Sequence, residues 1–128
     1  MALAFTKMHG AGIAFLLLDL RGGKAAPPGA TVRALADRHA GVGFDQLLAI
    51  IDSTRPGCVA GYKIWNSDGS PAQQCGNGAR CVAAWLVRDR ARQGGAPLPA
   101  RFSLDSPAGP IEGECLADGR YALDMGKP

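Results

Sequence analysis

The stretch Asn66-Ser67-Asp68-Gly69-Ser70, followed after Pro71 by Cys75-Gly76-Asn77-Gly78-Ala79-Arg80-Cys81-Val82-Ala83-Ala84-Trp85-Leu86-Val87, decides the fold. Its opening residues are turn formers whose short polar side chains bond their own backbone. Its last seven, Cys81 to Val87, are apolar without a break, and a helix that is apolar all round is a buried one. The expectation is a helix from Ala79 to about Gln93, entered through residues 75–78 and ended by Gly94-Gly95. Such a helix needs a sheet around it.

The flanking sequence supplies one. Residues 44–51 and 58–65 read as strands around a turn at 52–57. Residues 2–8 and 14–20 read as a hairpin closed by His9-Gly10-Ala11-Gly12, and residues 21–29 as a loop. Thr31 is expected to cap a short helix running to about His39. Val32, Leu35 and Ala36 would share its inner face, and Gly41 would stand at a left-handed stop. Downstream, residues 101–125 read as short strands separated by turns at 107–109 and 117–120. The fold class is α+β: a curled, mostly antiparallel sheet around one buried central helix, with the short helix outside.

A length of 128 residues allows about one domain, and 47% apolar residues supply a core without metal or disulfide staples. A net charge of +3, without basic runs and with 6% aromatic residues, argues against nucleic acid as a partner. Cysteines at 58, 75, 81 and 115 form no CxxC or CxxxC pair, so zinc is not expected, and reduced thiols in a cytoplasmic protein are. Residues 10–18 are mostly apolar behind Lys7, faintly like a signal peptide, but lack a basic n-region and a cleavage site. No stretch approaches the roughly 20 apolar residues of a membrane span, and no membrane partner is expected.

The chemistry gathers at Cys75, at the first turn of the buried helix. The first helical amides lack intrahelical partners and the dipole is positive there, which favours an anion by about 0.5–2 kcal/mol. A thiol with a free pKa of about 8.5 becomes a usable base near neutral pH in that setting. Gly76 and Gly78 let a ligand approach the backbone, and the amides of Gly76 and Asn77 suit a carboxylate. Base and clamp side by side suit removal of a proton alpha to a carboxylate. Cys58, Cys81 and Cys115 read as small buried hydrophobes. His9 and His39 read as surface or cap residues, Arg80 as an ion-pair residue, and Asp45 and Asp68 as lone turn carboxylates.

Three segments carry a family resemblance: Phe5-Thr6-Lys7-Met8-His9-Gly10-Ala11-Gly12, Leu35-Ala36-Asp37-Arg38-His39-Ala40-Gly41-Val42-Gly43-Phe44-Asp45-Gln46-Leu47-Leu48, and residues 66–81. In order and spacing the chain resembles the N-terminal half of the diaminopimelate epimerases. The resemblance implies two similar domains facing across a cleft, each with one catalytic cysteine and neither using a cofactor or metal. One thiolate removes the alpha proton and the other thiol reprotonates the opposite face, interconverting LL- and meso-diaminopimelate for lysine and peptidoglycan precursors. It makes Cys75 the thiol of this half, described in the family as the proton donor, Gln46 and Asn66 substrate-binding side chains, and Gly76 and Asn77 the carboxylate-holding amides. The implied partners are diaminopimelate and a C-terminal half-domain, or a second copy of the chain.

Two departures stand out. Where the family continues His-Gly-x-Gly with Asn-Asp-Phe, this chain has Ile13-Ala14-Phe15. The chain also stops at Met125-Gly126-Lys127-Pro128, and the second domain with its cysteine and Glu-Arg pair is expected to be missing. Residues 1–128 then form an N-terminal domain truncated before its partner, and catalytically incomplete alone. Two other readings remain at this point. One is a related cofactor-free racemase or isomerase, against which Asn66, Asp68, Gly69 and residues 75–81 speak. The other is a half-domain or split-gene product acting as a binding or assembly partner, which the length and Ile13-Ala14 favour.

Overall fold

A computed structural model describes residues 5–10, 12–39, 41–72, 76–116 and 121–124. The strands are β1 (Phe5–Gly10), β2 (Ile13–Asp19), β3 (Gln46–Ile51), β4 (Cys58–Asn66), β5 (Pro71–Ala72), β6 (Arg101–Ser106), β7 (Gly109–Cys115) and β8 (Tyr121–Asp124). The helices are α1 (Gly29–Ala36), between β2 and β3, and α2 (Gly76–Arg92), between β5 and β6. One sheet runs β1-β2-β3-β4-β6-β7-β8, with β5 paired to β4. The pairs β2–β3 and β4–β6 are parallel and the others antiparallel.

Each parallel pair is joined through a helix. Both crossovers step the same way across the sheet, but β4 runs opposite to β2, because β3 is parallel to β2 and antiparallel to β4. Crossovers of one hand must then put their helices on opposite faces. The core divides accordingly. Phe15, Leu17, Leu48, Ile50, Tyr62 and Ile64 pack with Ala79, Val82, Ala83 and Leu86 of α2. Leu16, Leu18, Leu47 and Ala49 pack on the other face with Val32 of α1 and with Phe44. Strand β2 is therefore covered on both sides, which is why its sequence is continuously apolar rather than alternating. Helix α2 packs against β1 and β8, the two ends of the strand order, as well as β2 and β3. One helix reaches both edges only because the sheet curls around it, as expected.

The helix boundaries differ from the sequence reading. Helix α1 starts at Gly29, with Pro28 at its N-cap and no side-chain cap, so Thr31 lies inside the first turn. The Pro28 carbonyl accepts the Val32 amide at 3.1 Å, and the fixed φ of proline (−62°) sets the entry without a hydroxyl. The helix ends at Ala36, short of His39. Gly41 is not left-handed; that conformation falls to Gly43, with φ +78°. Gly41 is instead a close approach, since a Cβ there would stand 2.7 Å from the Leu35 carbonyl oxygen. Helix α2 starts at Gly76, so Gly76, Asn77 and Gly78 form its first turn rather than a lead-in. Phe44 lies ahead of β3, buried in the core.

The C-terminal end of α2 is tied to the end of β2 by a charged cluster that the sequence reading missed. Asp89 is 7% exposed and accepts from Arg21 Nη2 at 2.8 Å and Gln93 Nε2 at 3.2 Å. Arg21 also holds Asp19 through Nε at 2.9 Å, and its guanidinium lies 5.1 Å from the Trp85 ring centroid. The Asp19 hydrogen bond, with help from Asp89, raises the Arg21 pKa further above its ordinary value, against the opposing effect of burial.

Candidate active site

Pleat alternation sets the site. In β3, Leu48 and Ile50 face α2, so Gln46, two residues before Leu48, belongs to the same face. In β4, Ala60, Tyr62 and Ile64 face α2, so Asn66 does as well. Antiparallel register pairs Gln46 with Asn66 directly, and Gln46 Nε2 donates to Asn66 Oδ1 at 3.4 Å. The parallel register sets Phe15 beside Gln46. Ile13, two residues earlier, packs against the α2-side core. The tertiary structure thus gathers positions 13, 46 and 66 on one face at one end of the sheet, although they are far apart in the chain.

The turn after β4 closes on itself. Asn66 N–H donates to the Ser70 carbonyl at 2.8 Å, and Gly69 N–H to the Asn66 carbonyl at 2.9 Å. Asp68 Oδ1 accepts the Ser70 amide at 2.8 Å and the Ser70 hydroxyl at 2.6 Å, an Asx-type turn. These bonds hold the Asp68 carboxyl below its usual value, the hydroxyl contributing most. Asn66 Nδ2 donates to Ser70 Oγ at 3.1 Å. From behind, α1 braces the turn: Arg33 Nη1 donates to the Asp68 carbonyl at 3.3 Å, and Gly69, at φ +89°, lies so close to Gly29 that a Cβ would meet the Gly29 carbonyl oxygen at 2.6 Å.

From this turn the chain passes through β5, paired to Ile64 and Trp65, into α2. Four residue steps separate Ala72 from Gly76, so the start of α2 is within about 14 Å of the end of β5. The backbone of Gly76 and Asn77 is in the first helical turn, where amides have no intrahelical acceptor. Cys75, the thiol singled out from the sequence, immediately precedes Gly76 and lies outside the described residues. Cys58 and Cys115 are free thiols and half-buried, and Cys81 is buried. His9, His39 and Arg80 are exposed.

The Ile13-Ala14 departure resolves into two unlike positions. Ile13 shares the face of Gln46 and Asn66. Ala14 points the other way and is 5% exposed; its amide donates to Asp45 Oδ2 at 2.8 Å and its carbonyl accepts the Asp45 amide at 2.8 Å. Asp45 in turn receives Arg38 Nη2 at 2.7 Å. The Asp45 carboxylate therefore serves the backbone rather than the Gln46 side of the sheet. Only an Asp-to-backbone contact across 31 residues could have revealed this, and nothing local in the sequence does so.

Among the described residues, no helix is long and apolar enough to cross a membrane. The fold is similar to that of a probable proline racemase from Agrobacterium radiobacter, with a TM-score of 0.70 at 15% identity over 95% of this chain and 41% of that one. It is also similar to methylitaconate-delta-isomerase, with a TM-score of 0.67 at 14% identity over 94% of this chain and 62% of that one. These likenesses are of fold alone. In sequence, the chain is 57% identical to the diaminopimelate epimerase of Xanthomonas oryzae pv. oryzae and 53% identical to that of Xylella fastidiosa, over 98% of its own length in each case. It spans 43% of the length of these relatives. The family model for diaminopimelate epimerase matches residues 5–128, which takes in the Gln46–Asn66 pair, the bonded turn and the start of α2. On that match and those identities, the chain belongs to the diaminopimelate epimerase family.

Proposed function

We propose that this chain is the first-thiol domain of a cofactor-independent, cytoplasmic epimerase that interconverts LL- and meso-diaminopimelate in lysine and peptidoglycan precursor synthesis. The observation that carries the reading is the pairing of Gln46 with Asn66 on the α2 face, where β5 leads into the start of α2. Gln46 and Asn66 bind the substrate's polar groups. The first-turn amides of Gly76 and Asn77 hold the carboxylate beside the reacting carbon. The Cys75 thiolate takes the alpha proton, so a C–H bond breaks as an S–H bond forms, and the electron pair stays on a carbon beside the held carboxylate. In the reverse direction the Cys75 thiol returns a proton.

Inversion needs a second acid–base group on the opposite face of the carbon, because one thiol reaches one face only. In this reading a second domain supplies it, and a second copy of the chain is the weaker substitute because it brings no different substrate groups. The experiment is alpha-deuterium incorporation from heavy water into LL-diaminopimelate, with this chain alone and with a C-terminal half from a relative. Inversion with exchange only in the completed pair is the expected result. Absence of exchange in both, with substrate and folded protein present, overturns the proposal.

A further inference from the structure

We propose that Asp68 and Ser70 are positioning residues: they fix which way the Asn66 and Gln46 amides point, and so make Gln46 Oε1 a hydrogen-bond acceptor aimed at the ligand. The inference rests on the reading of Gln46 and Asn66 as substrate-binding groups. A carboxylate at neutral pH only accepts, so at 2.6 Å the Ser70 hydroxyl must give its one proton to Asp68. Its oxygen is then left as an acceptor, and among the described residues the NH₂ end of Asn66 satisfies it, at 3.1 Å. Asn66 must accordingly turn Oδ1 toward Gln46, which answers with Nε2 at 3.4 Å. The chain ends at Gln46 Oε1, which is buried and has no hydrogen-bond partner among the described residues.

Reversing either amide would set two acceptors or two donors face to face, so one carboxylate dictates three links. A buried acceptor left open costs stability unless a ligand donor fills it, and the matching donor is an ammonium N–H of an amino-acid substrate. Two backbone hydrogen bonds, Asn66 N–H to the Ser70 carbonyl and Gly69 N–H to the Asn66 carbonyl, hold the turn independently of the side-chain relay. The relay is therefore separable from the fold.

The test is the ¹⁵N-labelled chain at pH 7, read by the side-chain amide resonances of Asn66 and Gln46. In Ser70→Ala both are expected to shift, with solvent exchange of the Asn66 Nδ2 protons faster by about tenfold, the loss of roughly one hydrogen bond. Backbone amides elsewhere in the sheet should stay in place, and Ser70→Thr should restore both side-chain signals. Asp68→Asn should also move the Gln46 signal from three links away, and it keeps the test decisive if Ser70→Ala fails to fold. A Gln46 signal unmoved by Asp68→Asn and Ser70→Ala overturns the relay. The readout needs no substrate, so it separates the two proposals. Exchange of diaminopimelate protons with an uncoupled Gln46 sinks the relay alone, and an intact relay without exchange in the completed pair sinks the epimerase reading alone.

Discussion

Ile13 and Ala14 stand where the family resemblance implies two polar residues, but only Ile13 lies on the face of Gln46 and Asn66, because neighbouring residues of a strand point to opposite sides. An isoleucine cannot bond a polar substrate group, and leaving such a group unpaired costs about 1–3 kcal/mol, or one to two decades in affinity. Ile13→Asn, in a protein completed with a second half, should raise kcat/KM by that factor, while Ala14→Asp should give no gain. Equal effects at the two positions would mean that the pleat assignment is wrong. Gly69 carries a different constraint. It has φ +89° and presses on the Gly29 backbone, whereas Gly22, at φ +86°, has open space where a Cβ would stand. Gly22→Ala should cost about 1 kcal/mol for conformation alone. Gly69→Ala should cost roughly 2–4 kcal/mol, since the backbone clash adds to it. Urea unfolding of both variants measures the difference, and equal midpoints would show that α1 does not brace the site turn.

At the scale of elements, α2 joins the two ends of the domain: its first turn belongs to the candidate site and its last to the Arg21–Asp89 cluster. Trp85 is 7% exposed, packs in the main core and lies under the Arg21 guanidinium. Trp85→Ala removes that packing and the platform together and should destabilise by roughly 3–5 kcal/mol, a large share of a small domain's stability. An unchanged melting temperature would mean that α2 is peripheral. The existence of α2 was legible from its seven apolar residues, and so was its burial. Its start was not: glycines at 76 and 78 disfavour helix locally, and packing of Ala79, Val82 and Ala83, each fully buried, overrides that preference. The ends of α1 were misplaced for a related reason. Thr31 looks like a cap, but the Pro28 carbonyl and the contact between Gly29 and Gly69 set the start.

At the scale of the molecule, charge placement predicts an acid-sensitive fold. For Asp19, burial alone would raise the carboxyl pKa, but the hydrogen bonds and charge of Arg21 outweigh it and the net shift is downward. Asp68 is lowered as well, through Ser70. A carboxyl whose folded pKa is depressed contributes stability that is present above its unfolded value, near 3.9, and is lost as pH falls through the folded value. Stability should therefore be flat with respect to these groups from pH 7 to about 5 and decline below about 4, and Asp19→Asn should reduce the slope of that decline. An acid limb identical in the wild type and Asp19→Asn would show that the Arg21 contact does not persist in solution.

The sequence by itself determined the local and repetitive features. Continuous apolar runs marked β2 and α2, polar turn formers marked the bend at residues 66–70, and the match of residues 5–12, 35–48 and 66–81 marked the family. These signals survive because hydrophobic burial and turn chemistry depend on neighbours in the chain. Only the tertiary structure decided that Gln46 stands opposite Asn66, that Ile13 shares their face while Ala14 does not, and that Asp45 binds the Ala14 backbone. It also decided that Arg21 reaches Asp89 across 68 residues. Each of these follows from strand register and from which side of the sheet a crossover helix covers. Both are set when distant segments pack, so no stretch of sequence read alone carries them.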